Sequence, residues 1–207
     1  MKAAAFPFKA CPLPYASDTL EPFLSEEQLR SHYQKHYIKN ITRLNDSLKG
    51  YPNYWRIPLF CLLSEAKKIP SDVRQEVLEA GGAVFNHELC FASMSPFPTN
   101  IPKPLMDKIE ENFSSAEKCV DEIFLCAASV VGSGYAMLAA DRSGALKIIS
   151  AENDDTSYLR AFFPLIAVDL WEHAYYIKYK NDRFGYMREW AKHINWSFAA
   201  AQLKASF

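Results

Sequence analysis

The chain has 207 residues, of which 49% are apolar and 14% aromatic, and its formal net charge is −1. A chain of this length forms one domain or two small ones, and this apolar content supports a sizeable core, which excludes disorder as the default. No run of Lys and Arg offers the surface that nucleic-acid binding requires, and no stretch approaches the ~20 apolar residues of a membrane span.

The five cysteines are an odd number and include no CxxC pair, which indicates neither a disulfide framework nor a zinc ribbon. We expect buried, reduced thiols and hence a reducing compartment. Residues 1–5 do not begin a secretory signal. The sequence therefore predicts a cytoplasmic protein, with an organelle matrix as the alternative. The cysteines are Cys11, Cys61, Cys90, Cys119 and Cys126.

The N-terminal half is predicted to be an arm followed by two helices. Residues 6–24 contain four prolines and no apolar period, which indicates an extended arm. Ser25 and Gln28 form a capping-box pattern at the start of a predicted helix over Glu26–Leu48. A second helix is predicted over Ser71–Met94, antiparallel to the first.

A proline-rich linker at residues 96–104 separates the predicted N-terminal domain, residues 1–95, from a C-terminal domain, residues 105–207. The C-terminal domain begins with a predicted amphipathic helix over Leu105–Ala128. Three β-like runs follow, and the turn at 141–144 joins the first two as a hairpin. The predicted strands are Tyr135–Ala140, Ala145–Ala151 and Phe162–Val168, and the later helices are Tyr175–Tyr179, Phe184–Ile194 and Trp196–Phe207.

The fold class is therefore α+β. We expect an N-terminal antiparallel helical hairpin, followed by a C-terminal α/β domain with a three-stranded antiparallel sheet.

Two groups of polar residues suggest chemistry. His32, His36 and Asn40 recur every four residues and share one helical face, although a solvated or hydrogen-bonded histidine pair explains that spacing alone. Asp169 ends an apolar run, and a buried lone carboxylate must be paired or bind a metal. His173 follows Asp169 by one helical turn, so an Asp–His pair at a chain corner is the alternative.

A metal becomes the better explanation if further imidazoles converge, and His87, in an apolar setting, is an obvious donor. Three imidazoles and one carboxylate would result. This donor set contains no thiolate, which argues against structural zinc or an iron–sulfur cluster and suits iron or manganese.

Six tracts of the chain resemble the iron/manganese superoxide dismutases, in order over nearly the whole length. The tract that begins at Asp169 is the most specific. The tracts are Leu13-Pro14-Tyr15, His32-Tyr33-Gln34-Lys35-His36, Phe85-Asn86-His87, Gly132-Ser133-Gly134, Asp169-Leu170-Trp171-Glu172-His173-Ala174-Tyr175-Tyr176 and Asn195-Trp196.

The resemblance implies one iron or manganese ion per subunit, held by His32, His87, Asp169 and His173. It implies superoxide as the substrate, which redox cycling of the ion converts to dioxygen and hydrogen peroxide.

The resemblance also implies a homodimer. In the family, a residue that matches Glu172 bonds the metal-binding histidine of the other subunit, here His173. A residue that matches Tyr176 bonds the helix histidine of the other subunit, here His36. Such contacts are reciprocal about a two-fold axis and fix the orientation of the rings.

The residues around the ligands depart from the family. Asn40 stands where a gateway tyrosine is usual, and Ala83 and Asp154 stand where one or other branch has glutamine. An inward Asp154 would accept a hydrogen bond when ionised or replace the amide donor when protonated, whereas an outward one would leave the gap to solvent. Trp171 is retained, whereas Tyr135, Met137 and Phe91 stand where tryptophans are common in the family.

We therefore expect an unusual metal preference or reduced turnover. The residues expected to act around the ligands are His36, Asn40, Asp154, Trp171, Glu172 and Tyr176.

Two other functions fit the residues. A superoxide-dismutase-like scaffold or interaction subunit would keep the fold and the metal while its altered surroundings reduce or abolish activity. A non-haem iron oxygenase is allowed by the ligand types, but a fourth protein ligand leaves too few open positions for dioxygen and a co-substrate.

Overall fold

The computed structural model describes residues 5–206, so the predictions for Met1–Ala4 and for Phe207 lie outside the described residues. Residues 5–24 form an arm without helix or strand. The Asn45 side chain accepts from the Phe8 amide at 2.8 Å and donates to the Phe8 carbonyl at 2.9 Å. These two bonds, together with the stacking of Phe6 on Trp55, fix the arm against the first helix.

The first predicted helix is present over its whole range, but its centre is not an α-helix. Helix α1 spans Glu26–Ser31 and helix α2 spans Ile38–Leu48. The residues between them, His32–Tyr37, form a π-helical segment. Such a segment turns more slowly than an α-helix and is frequent at functional sites.

The second half of the hairpin is α4 (Ser71–Ala92), preceded by the short helix α3 (Leu59–Ser64), which the sequence did not predict. Helix α2 packs against α4, which confirms the predicted helical pair. Among the described residues, no helix is long and apolar enough to cross a bilayer.

The prediction of one helix over Leu105–Ala128 is wrong. Two helices are present, α5 (Lys103–Phe113) and α6 (Ala116–Ser129). Ser114 adopts a left-handed conformation with φ of 72°, and the Ser115 side chain accepts from the Lys118 amide at the start of α6. A left-handed residue ends a helix and a serine cap begins the next, so the chain breaks here although its apolar period continues.

The three predicted strands are confirmed to within one residue at each end. They are β1 (Gly134–Asp141), β2 (Leu146–Glu152) and β3 (Phe162–Asp169). The sheet is antiparallel with the order β2-β1-β3. Gly144 takes a φ of 85° in the hairpin turn, a conformation that favours glycine. The remaining helices are α7 (Tyr176–Tyr179), α8 (Arg183–Lys192) and α9 (Trp196–Ser206).

The expectation that the cysteine thiols are buried holds for only two of the five cysteines. Cys90 and Cys119 are buried, Cys61 and Cys126 are partly exposed, and Cys11 lies exposed on the arm, where the chain runs over the surface. The described residues include all five cysteines, and none of them forms a disulfide.

The two halves of the protein meet along α4, which contacts both α2 and β3. This contact brings the end of β3 and the turn that follows it towards the hairpin. The interface between a helical pair and the edge of a sheet is therefore where residues from both halves meet.

Candidate metal centre

Four side chains from both halves converge at this interface. His32, His87, Asp169 and His173 each direct one nitrogen or oxygen atom inward, and these four atoms lie within 4.8 Å of one another. His32, His87 and Asp169 are buried, with at most 2% of each residue exposed. The structure thus brings together the four residues that the sequence proposed as ligands.

Local contacts aim two of these side chains. His87 lies on the buried face of α4, and its Nδ1 is 2.6 Å from the Ala83 carbonyl one turn earlier. That contact leaves Nε2 directed inward. Asp169 is the last residue of β3, and its Oδ1 accepts from the Trp171 amide at 2.8 Å. That bond leaves Oδ2 for the centre.

The four inward atoms are chemically unsatisfied. His32 Nε2, His87 Nε2, His173 Nε2 and Asp169 Oδ2 are buried and lack a hydrogen-bond partner. Asp169 Oδ2 lies 3.1 Å from His32 Nε2 and 3.7 Å from His173 Nε2, within ion-pair distance but outside hydrogen-bond geometry. Native proteins rarely leave buried polar atoms unpaired, because each costs ~1–3 kcal/mol. Three imidazole nitrogens and a carboxylate oxygen therefore fit an iron or manganese ion.

The electrostatics keep three of the four groups in the protonation states that a metal requires. Burial lowers the pKa of His32, and it lowers the pKa of His87 to about 3. Burial opposes ionisation of Asp169, but the His173 and His32 rings hold the pKa of that carboxyl well below its usual range. The His32 and His87 imidazoles are thus neutral and the Asp169 carboxylate is charged at neutral pH, which is the form that ligates metals.

The sequence matches one known protein family over nearly its whole length. The sequence profile of the iron/manganese superoxide dismutases, alpha-hairpin domain, matches residues 7–95, and that of their C-terminal domain matches residues 101–202. A relative from Leptolyngbya boryana, superoxide dismutase [Mn] 1, is 32% identical over 209 residues, covering 97% of this chain and 84% of its own. The chain belongs to the iron/manganese superoxide dismutases. It is an oxidoreductase of that family, and the α+β fold predicted from the sequence is confirmed.

Aromatic rings enclose the centre of this dismutase. His36 stacks on His173 with ring centroids 3.9 Å apart, and Trp171 stacks on the same ring at 5.4 Å. Phe91 meets the His32 ring edge-on at 4.9 Å. Burial lowers the pKa of His36 to about 4, so this ring is neutral at physiological pH.

Asn40 lies on the same helical face, but both ends of its side chain are engaged on its own helix. Its Nδ2 donates to the His36 carbonyl at 3.0 Å, and its Oδ1 accepts from Arg43 at 3.0 Å. Arg43 in turn pairs with Glu76 at 2.9 Å. Where most dismutases of this family place a tyrosine, this chain therefore has an amide bonded to the backbone and to a surface ion pair.

Asp154 points inward. Its Oδ1 accepts from the Tyr135 hydroxyl at 3.4 Å, and burial raises the pKa of the Asp154 carboxyl to about 6. The backbone around Asp154 lies directly against α4 at Gly82, where a Cβ atom would overlap the Asp154 carbonyl oxygen. Ala83, the other position where the family has glutamine, contributes only its carbonyl, to His87.

Glu172 and Tyr176 are on the surface beside the centre. Glu172 is exposed and Tyr176 is 45% exposed, so neither side chain is directed into the cluster within one chain. Both flank the turn that carries His173.

Gln28 contacts the segment that carries His173, although its sequence pattern indicated only a role in helix capping. Its backbone amide does donate to Ser25 Oγ at 3.2 Å. The capping box is nevertheless only half formed, because the side-chain amide donates instead to the His173 carbonyl and accepts from the Ile177 amide at 2.9 Å. A glutamine at this position can serve either as a capping residue or as a long-range hydrogen-bonding partner. The sequence does not distinguish the two roles, and the folded structure does.

Proposed function

We propose that this protein dismutates superoxide with one redox-active iron or manganese ion per subunit, held by His32, His87, Asp169 and His173. The supporting observation is that four inward atoms, contributed by both halves of the chain, are buried and unsatisfied. When bound, such an ion supplies the one-electron oxidation of one superoxide to dioxygen and the one-electron reduction of a second, with two protons, to hydrogen peroxide. We also propose the division into residues 1–95, a linker at 96–104 and residues 105–207.

The contacts of the ligands orient them before a metal binds. The Ala83 carbonyl accepts a hydrogen bond from His87 Nδ1–H, so the lone pair of Nε2 faces the centre. The Trp171 amide holds Asp169 Oδ1, so one oxygen remains for the ion. Partners of this kind fix the tautomer and basicity of metal ligands. The anionic Asp169 carboxylate favours the more highly charged oxidation state.

The surrounding rings exclude bulk water from the centre. His36 and Trp171 stack on the His173 ring, and Phe91 packs edge-on against His32. A dry surrounding strengthens the attraction between the carboxylate and a cation. Superoxide is small enough to reach such a centre, whereas larger oxidants and reductants are kept at a distance.

We propose a homodimer with Glu172 bonded to the partner's His173, and Tyr176 to the partner's His36. Glu172 and Tyr176 are exposed beside the centre, and Ile177, the residue after Tyr176, is 39% exposed. Ile38, two residues after His36, is 37% exposed. A two-fold axis would bury all of these on both subunits at once. This arrangement would complete each centre with contacts from the other chain.

The residues around the ligands bear on which metal the protein prefers and on how fast it turns over. Asn40, Ala83 and Asp154 replace the tyrosine and the glutamines that usually flank the centre, so we propose an unusual metal preference or a reduced turnover. We further propose a cytoplasmic location, with an organelle matrix as the alternative, because no cysteine forms a disulfide among the described residues.

Metal loading tests the proposed function. The metal-free protein is loaded separately with iron and with manganese, and bound metal and superoxide consumption are measured for each. We expect one ion per subunit and consumption with at least one metal. Asp169→Asn should lose the metal, whereas His193→Gln should keep it, since His193 lies outside the cluster and contacts the Ser95 carbonyl. A protein that binds the metal but consumes no superoxide would favour the scaffold function instead.

A further inference from the structure

A cleft of about 540 Å³ opens beside the metal centre, on the side of Asp154. Its lining includes Trp171, whose ring stacks on that of His173. One aromatic ring therefore separates solvent in the cleft from a proposed ligand. Asp154 lines the same cleft and accepts from the Tyr135 hydroxyl.

The cleft is negatively charged, which disfavours an anionic substrate. Four carboxylates line it, on Glu79, Glu152, Asp154 and Asp155, against one guanidinium, that of Arg43. Arg43 is already paired with Glu76 at 2.9 Å and Glu79 at 3.6 Å. A field of one sign concentrates ions of the opposite sign. The negative field of this cleft therefore disfavours the superoxide anion and favours positively charged, protonated species.

Tyr135 connects this cleft to the buried side of the sheet. It is fully buried on β1 and stands directly opposite Asp169 on β3. Directly opposite residues in an antiparallel pair place their side chains on the same face. Burial raises the pKa of Tyr135 well above its ordinary value, and the Asp169 charge raises it further. The hydroxyl therefore stays protonated and lies within the field of the ligand set.

We propose that Asp154 and Tyr135 form a proton route to the metal centre from this cleft, whose charge disfavours superoxide. The inference rests on the proposed function, because the reduction of superoxide consumes two protons. The resting hydrogen bond runs from the Tyr135 hydroxyl to the Asp154 carboxylate. Once Asp154 is protonated from the cleft, it gives its proton to the Tyr135 oxygen while the Tyr135 hydroxyl passes its own proton to the reduced superoxide, the acceptor that the proposed reaction supplies. The carboxylate then regains a proton from water in the cleft. No electron moves, and one proton passes from solvent to the buried side.

The surroundings of Asp154 suit this role. Burial and the nearby Asp169 charge raise its pKa, the Tyr135 hydrogen bond opposes the rise, and the net pKa is about 6. An acid that titrates near the working pH exchanges protons efficiently in both directions. The 3.4 Å contact is long for a hydroxyl and a carboxylate, as such contacts often are before substrate binds. The other titratable or charged groups facing it are His173, Arg43, Glu79 and Tyr158.

Three variants of the metal-loaded protein separate this route from a structural role. Asp154→Asn keeps the shape but cannot carry the proton, and Tyr135→Phe removes only the hydroxyl. Glu152→Gln is the matched control, because it removes the same charge from an exposed residue of the same cleft. At saturating superoxide we expect the first two to lose about a hundredfold in turnover, the lower end of the range for proton transfer by a side chain. The control should stay within twofold.

Acid rescue and infrared spectroscopy supply readouts that a structural defect would not move. Acetic acid in the open cleft should restore turnover to Asp154→Asn, but not to Tyr135→Phe, whose missing hydroxyl is buried. Electrochemical reduction of the bound metal, without superoxide, should change a protonated-carboxyl band that is absent in Asp154→Asn. The same band should persist in Glu152→Gln.

Two results would overturn the route: turnover of Asp154→Asn within twofold of the parent at every pH, or an unchanged carboxyl band in that variant. A parent protein that binds metal without consuming superoxide would instead refute the proposed function. The infrared measurement would still decide whether Asp154 exchanges a proton on metal reduction.

Discussion

The side-chain amide of Gln28 donates to the backbone carbonyl of His173, 145 residues away in sequence. Its oxygen also accepts from the Ile177 amide at 2.9 Å, and the residue is 1% exposed. One side chain on α1 thus holds both ends of the turn that carries a proposed ligand. The hairpin positions the metal site of the C-terminal half through this amide, as well as contributing His32 and His87.

Replacing Gln28 with Ala should therefore loosen the turn. The change removes two buried hydrogen bonds and leaves a carbonyl and an amide without partners, which should lower the free energy of unfolding by about 2–4 kcal/mol. It should also speed metal release. Urea unfolding of the metal-free protein and the rate of metal loss to a chelator measure the two effects. Gln34→Ala, at an exposed position on the same helical stretch, should change neither, and equal effects from both variants would contradict this role.

Gly82→Ala tests the close approach between α4 and the segment that carries Asp154. A Cβ atom at Gly82 would overlap the Asp154 carbonyl oxygen, which is backbone and cannot rotate away. We expect a loss of about 2 kcal/mol or more in unfolding free energy, in the upper range for overpacking. At Gly50 a Cβ would meet nothing within 4 Å, so Gly50→Ala should be close to neutral. Comparable unfolding curves for both variants would show that the segment does not pack against α4.

The sequence predicted the strands well, and it pointed to four residues that the fold brings together, because these signals are local or specific. Strand patterning and the hairpin turn located β1–β3, and the tract around Asp169 pointed to the family. The breaks inside helices were not predicted. The π-helical segment at His32–Tyr37 shifts the helical period over only six residues, and the left-handed Ser114 interrupts a run whose apolar spacing continues.

The direction in which the Asp154 side chain points could not be predicted from the sequence, for a different reason. Asp154 faces inward because its backbone packs on Gly82 and its carboxylate meets Tyr135. Both contacts join segments that are distant along the chain, so no local pattern encodes them. The same holds for the Gln28 amide, whose partner lies in the other half of the molecule.

Glu172→Ala should weaken the proposed dimer at least tenfold. Truncating one partner of a buried charged contact costs ~2–5 kcal/mol, and a two-fold axis repeats the loss. Sedimentation equilibrium over a range of protein concentrations measures the effect. Glu122→Ala removes an equally exposed glutamate from α6 and should leave association unchanged. If the parent protein sediments as a monomer at every concentration, the dimer proposal is wrong.

Asp154→Asn should stabilise the metal-free protein at neutral pH, with a pH dependence of definite sign. The Asp154 pKa is raised from 3.8 to about 6 in the folded state, so between about pH 4 and pH 6 the folded protein binds more protons than the unfolded chain. Its stability therefore falls as pH rises through this window. A difference of about two pKa units corresponds to at most ~3 kcal/mol.

The variant, which cannot ionise at this position, should be more stable than the parent by about 1–3 kcal/mol at pH 7.5. Most of the advantage should disappear as the pH approaches 4, because the carboxyl of the folded parent is then protonated and that of the unfolded chain is about half protonated. Urea unfolding of both metal-free proteins from pH 4.5 to 7.5 measures this difference, and Glu152→Gln controls for loss of one negative charge at the cleft. A variant less stable than its parent at pH 7.5 would mean that the charged carboxylate is satisfied by its surroundings, and its burial would then not explain the raised pKa.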